Sequence, residues 1–187
     1  LYAAKTGLSF NEAKILVESE YYKVGEGTIE WYDIKYWFRF FQLQEDWRTL
    51  MKCYIDKISV YGDASRALEG LKGRFTLVLT SNAGREFIDI EMGATGLGKY
   101  FDRIFSATSD FGEVKKTADF YRRICQILEV SPEEIVHVGD HYDFDYRVPR
   151  ALGIQAFYLD RTGQRAGDFV LTDLGQLEER ICKERCQ

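Results

Sequence analysis

Proline is scarce: two residues in a chain of 187, where average usage of ~5% would give about nine. Few long loops and no Pro-rich linker are therefore expected. Positive charge is not in excess either. Lys and Arg number 25 against 30 Asp and Glu, a net charge of −5, which argues against a nucleic-acid partner because counterion release needs concentrated positive charge. No apolar stretch approaches the ~18 residues of a membrane span, and the greasiest run, Trp37-Phe38-Arg39-Phe40-Phe41, is broken by Arg39. The four cysteines (Cys53, Cys125, Cys182, Cys186) show no CxxC spacing. Free thiols in a reducing, cytoplasmic compartment are the simplest reading, and no secretory signal is visible.

Apolar residues make up 45% and charged residues 29%, a soluble globular balance sized for one domain, or one core plus a small insert. Aromatics reach 15%, many of them before residue 62. Residues 1–60 read as helices alone. Ser9-Phe10-Asn11-Glu12 is a capping box that opens a helix to about Lys23. A second helix spans roughly Glu30–Phe41, and a third runs from Glu45 to Ile58 with Trp47, Leu50, Met51, Tyr54, Ile55 and Ile58 on one stripe. Three such helices make a small bundle. Trp31, Tyr32 and Trp37 could line a substrate pocket, although such a stripe is more often core.

From Tyr61 onward the pattern alternates. Asp63 is placed to cap a short helix ending near Lys72. Strands are expected at Phe75–Thr80, Arg103–Ser106, Ile135–Val138 and Ile154–Leu159, with a short fifth at Phe169–Leu171. Between them lie helices near Arg85–Leu97, from Thr117 to Glu129, near Tyr142–Leu152, and from Asp173 onward. Strand, helix, strand, helix specifies an α/β fold, a Rossmann-like parallel sheet with helices on both faces. The division is a helical cap over 1–60 and an α/β core over 61–187.

Ligands of open parallel sheets bind at the carboxyl ends of the strands. The first strand leads into Thr80-Ser81-Asn82-Ala83-Gly84, whose hydroxyls, amide and following helix start suit an anion; plain N-capping is the other reading of Ser81 and Asn82. The third leads into Gly139-Asp140-His141-Tyr142-Asp143-Phe144-Asp145. Three carboxylates in six residues repel one another unless a cation intervenes, and oxygen ligands of this kind suit Mg²⁺. A helix N-terminus that favours negative charge is the alternative. His141 reads as a surface neighbour. Between these segments, Glu113-Val114-Lys115-Lys116-Thr117 offers a lysine that can balance a phosphate or the carboxylates.

In order, these segments resemble the haloacid-dehalogenase-like (HAD) hydrolase superfamily. The second motif of that family, a strand ending in Ser or Thr and then Asn, is matched by Leu77-Val78-Leu79-Thr80-Ser81-Asn82. Its third, a lysine two residues before a helix cap, falls on Lys115 if Thr117 is the cap; Lys116 is the neighbouring choice. Its fourth, Gly-Asp with a second Asp five residues on, is matched by Gly139, Asp140 and Asp145, and Ala151-Leu152-Gly153-Ile154 follows in the family's manner. The resemblance covers about residues 61–175, and residues 1–60 look like the family's helical cap. The first motif, Asp-x-Asp, has no match before the cap. The sequence opens where the cap should start, which is read as an N-terminal truncation.

The resemblance implies Mg²⁺-dependent hydrolysis of a small phosphorylated metabolite through an aspartyl-phosphate, with the chain as given lacking the nucleophile. Ser81 and Asn82 would bind the substrate, Ser81 donating to a phosphoryl oxygen. Lys115 would offset charge, Asp140 would bind Mg²⁺, and Asp145 would support it by ligation, through water or through Lys115. A dehalogenase of the same family and a non-catalytic interaction module are the alternatives. In the family's strand order the strands Phe75–Leu79 and Ile135–Val138 flank a central strand, so these two are expected not to pair directly.

Overall fold

The structure is a computed structural model and describes residues 1–184. The N-terminal third is helical: α1 (Tyr2–Thr6), α2 (Phe10–Val24), α3 (Ile29–Tyr32), α4 (Ile34–Phe40) and α5 (Trp47–Lys52), followed by a 3₁₀ turn at Ile55–Lys57. The Ser9–Glu12 capping box forms as expected. The single helix expected over Glu30–Phe41 is two: Asp33 interrupts it, closing α3 and capping α4 by accepting from the Lys35 N–H. The expected third helix is likewise shorter, capped by Asp46. Trp37 is buried and stacks on Tyr21 at 3.7 Å, with Trp31 edge-on to the same ring at 5.3 Å. Trp37 is thus core of the helical region, while the Tyr32 hydroxyl donates to the Glu26 carbonyl.

The remainder alternates: α6 (Gly62–Leu71), β1 (Val78–Ser81), α7 (Arg85–Thr95), β2 (Arg103–Ser106), α8 (Ala107–Phe111), α9 (Ala118–Leu128), β3 (Val136–Gly139), a π-helical turn at Tyr142–Arg147, α10 (Val148–Ala151), β4 (Gln155–Leu159), β5 (Val170–Leu171) and α11 (Leu177–Glu184). β1 runs parallel to β2, and β3, β4 and β5 run parallel in that order. β1 and β3 share no ladder, so each keeps a single partner among the described residues. Asp63 does not cap α6. It is buried inside the first turn, paired with Arg161 and accepting from the Leu174 N–H, and so ties α6 to the C-terminal segment.

Alternation along β4 sorts the core onto two faces. Phe157 packs with Leu71, Leu77, Leu171, Leu177 and Ile181 beneath α6 and α11. Ile154 packs with Ala107, Phe120, Tyr121 and Ile124 beneath α8 and α9. The helical region meets the core at α7, where Lys35 pairs with Glu86 and the Tyr32 carbonyl lies 3.1 Å from where a Cβ on Gly84 would stand. Cys53 and Cys125 are free thiols. The pair Cys182 and Cys186 lies outside the described residues, the former by its side chain. Among the described residues no helix is long and apolar enough to cross a membrane.

Candidate functional site

Two polar clusters form, one where β1 ends in the two-stranded sheet and one where β3 ends in the three-stranded sheet. At β1, the Ser81 hydroxyl oxygen accepts from the Ala83 N–H at 3.1 Å, as an N-cap-like turn requires. That bond uses a lone pair and leaves the hydroxyl proton available to donate. Behind it, buried Ser106 donates to the Ala83 carbonyl at 2.7 Å and Thr108 donates to the Asn82 carbonyl at 3.2 Å. These two hydroxyls fix the backbone of the loop from β2 and α8. The side-chain oxygen of Asn82 is buried and has no hydrogen-bond partner among the described residues. Buried acceptors without donors are uncommon.

At β3 the cluster is charged. Asp145, 2% exposed, forms an ion pair with Lys116 through Oδ1, and the same oxygen lies 3.0 Å from His137 Nε2. Its Oδ2 accepts from the His141 N–H at 3.0 Å. The Tyr121 hydroxyl lies 3.1 Å from His137 Nε2 and donates to the Phe144 carbonyl at 2.7 Å. Burial alone would raise the Asp145 pKa, but the His137 hydrogen bond and the Lys116 charge outweigh it and hold the carboxyl well below the usual carboxylate range. Burial pushes the His137 imidazole below its ordinary value against the pull of Asp145, and burial together with the Asp145 charge pushes the Tyr121 phenol well up.

Local backbone explains how these groups meet. The π-helical turn after β3 widens the first turn, a geometry often found at functional sites. It sends Asp145 inward and leaves Asp143 outside, paired with Arg147. Gly139 is required here: a Cβ on it would collide with the Asp145 side chain. Before α9, the Thr117 N–H bonds to the Lys115 carbonyl at 2.9 Å, a three-residue turn about Lys116. Thr117 then caps α9, accepting from the Phe120 N–H at 3.2 Å.

That turn decides which lysine faces in. The expectation favoured Lys115. The structure pairs Lys116 with Asp145 and lays Lys115 over the Phe144 ring at 5.6 Å. Counting back from the cap cannot detect the reversal, because a turn centred on one residue exchanges the faces of its neighbours. Asp145 was expected to support Mg²⁺ by ligation, through water or through a lysine; it meets a lysine, Lys116, together with His137 on Oδ1 and the His141 amide on Oδ2. Asp140 is exposed beside it, and among the described residues no group of three or more His, Cys, Asp or Glu is placed to hold a metal ion. Of the two, Asp140 is the one whose carboxylate is exposed. His141 is exposed and stacks on Phe144 at 4.0 Å, the surface neighbour it was read to be.

His137 and Tyr121 were missed by sequence reasoning. The signal was present in the strand period, which puts His137 on one face with Ile135 and Gly139, the face that α9 covers.

A family model of haloacid dehalogenase-like hydrolases matches residues 2–153. The chain belongs to this family. The haloacid dehalogenase-like hydrolase domain-containing protein 3 of Homo sapiens is 31% identical over 97 residues, 52% of this chain and 37% of that protein. Its Bos taurus counterpart is 30% identical over 95 residues, 50% and 37% of the two chains. The chain thus spans well under half the length of the curated relatives it matches. Among solved structures, a HAD phosphatase from Thermococcus onnurineus superposes with a TM-score of 0.81 at 26% identity, over 96% of this chain and 84% of that one. The L-2-haloacid dehalogenase of Xanthobacter autotrophicus shares the fold, with a TM-score of 0.61 at 22% identity over 75% and 69%. Phosphatases and dehalogenases of the family therefore share this haloacid dehalogenase-like architecture.

Proposed function

We propose that the chain is part of a hydrolase acting on a small phosphate monoester in the cytoplasm, through a covalent aspartyl-phosphate. The observation that carries the reading is the buried Lys116–Asp145 pair where β3 ends, with a free hydroxyl proton on Ser81 where β1 ends. A phosphoryl group needs charge stabilisation on its equatorial oxygens and little else from the protein. Lys116 supplies a fixed positive charge, Ser81 a hydroxyl donor, and the amides entering α7 further donors. The attacking aspartate belongs to the family's first motif, which these 187 residues do not match, so the whole enzyme must supply it. Asp140 is the residue that would hold Mg²⁺, which would supply further positive charge to the phosphoryl oxygens.

A second reading is a dehalogenase-type hydrolase, favoured by the fold shared with the L-2-haloacid dehalogenase of Xanthobacter autotrophicus. The deciding experiment assays the full gene product on an aryl phosphate and on a 2-chloro acid, each with Mg²⁺ and with chelator. Phosphate release that requires Mg²⁺ supports the phosphatase. Chloride release that ignores chelator supports the dehalogenase. Neither release would leave an interaction module.

A further inference from the structure

We propose that His137 is a positioning residue: as its Nε2–H tautomer it locks the Asp145 carboxylate on which Lys116 is seated, with the Tyr121 hydroxyl as a second acceptor. An ionised carboxylate can only accept, so at 3.0 Å from Asp145 Oδ1 the His137 Nε2 must carry the proton. The Phe144 carbonyl is likewise only an acceptor, so the Tyr121 proton goes there at 2.7 Å. That leaves the Tyr121 oxygen to accept from His137 at 3.1 Å. One N–H therefore serves two acceptors. The opposite tautomer would aim a nitrogen lone pair at both oxygens.

The ring is itself held. It lies edge-on to Tyr121 with centroids 5.3 Å apart, and Tyr121 is buried in the core on the inner face of α9. Lys116 alone would leave the carboxylate free to turn about its own axis. With His137 on Oδ1 and the His141 amide on Oδ2, the plane of the carboxylate is fixed at both oxygens. The ammonium of Lys116 inherits that fixed position. This deepens the hydrolase reading by giving its lysine a seat. The test reads no turnover, so the two can fail separately.

The chain carries two histidines, so a long-range proton–nitrogen correlation spectrum of the labelled full chain at pH 8, assigned with His141→Gln, reports the tautomer of His137 directly. A protonated Nε2 is expected. A protonated Nδ1, or averaging between the two, overturns the proposal. The second measurement compares His137→Gln, whose amide N–H reaches the Nε2 position, with His137→Asn, whose amide reaches only Nδ1. The readout is hydrogen exchange of the His141 amide, which donates to Asp145, relative to the slowest core amides. Exchange close to that of the parent in the Gln variant and about tenfold faster in the Asn variant is expected, the scale of one lost hydrogen bond. Equal exchange in the two variants overturns the proposal, and the tautomer measurement stands alone if the Asn variant does not fold.

Discussion

Where β1 ends the polar groups are neutral, and where β3 ends they are charged. The hydroxyls of Ser106 and Thr108 hold the β1 loop by its carbonyls, and the network tolerates one acceptor unmet among the described residues, Asn82 Oδ1. In the β3 cluster each Asp145 oxygen has a donor, Oδ1 from Lys116 and His137 and Oδ2 from the His141 amide. A buried neutral group left unmet costs about 1–3 kcal/mol, whereas a buried ion without its partner costs about 3–5 kcal/mol. The charged end is therefore satisfied from within, where an unmet group would cost more.

Substitutions at the two ends should reproduce that asymmetry. The largest effect is expected for Asp145→Ala, which strands the Lys116 ammonium in the interior, at about 3–5 kcal/mol in chemical denaturation. A loss below 1 kcal/mol would show that Lys116 escapes to water. Gly139→Ala inserts a methyl where Asp145 packs and should cost about 1–3 kcal/mol by overpacking, with the His137 tautomer signal disturbed. At the neutral end, Ser106→Ala unpairs the Ala83 carbonyl and the Ser109 N–H, for about 1–3 kcal/mol. Thr117→Ala removes a helix cap and should cost about 1 kcal/mol.

The smallest effect is in pH. The folded pKa of His137 lies below its unfolded value of ~6.5, so the unfolded chain takes up that proton first and stability declines as pH falls from there. Asp145, whose folded pKa is depressed, contributes stability above its unfolded value of ~3.9 that is lost as pH falls further. His137→Gln should remove the earlier decline and leave the later one, measured as melting temperature against pH.

Sequence periodicity located every strand to within three residues at either end, because each is a short buried run bounded by turn residues. Thr117 and Ser9 were legible as caps because their chemistry is local. What was not legible depended on backbone detours. Asp33 splits a helix that aromatic content had suggested was continuous. Asp63 looks like a cap in sequence, yet its partners, Arg161 and Leu174, come from the far end of the chain. At the site, strand ends together with the family motifs pointed to Ser81, Asn82, Asp140 and Asp145, and the structure sets these residues where β1 and β3 end. The exchange of Lys115 for Lys116 followed from a three-residue turn, and His137 was hidden because a strand histidine has no local signature.

The account turns on Lys116 being the buried partner of Asp145, and paired denaturation of Lys116→Met and Lys115→Met tests this most directly. Lys116→Met leaves the Asp145 carboxylate buried without its cation and should lose about 3–5 kcal/mol. Lys115→Met gives up only an exposed contact with the Phe144 ring and should lose about 0.5–1 kcal/mol. Equal losses, or a larger loss for Lys115→Met, would contradict the account.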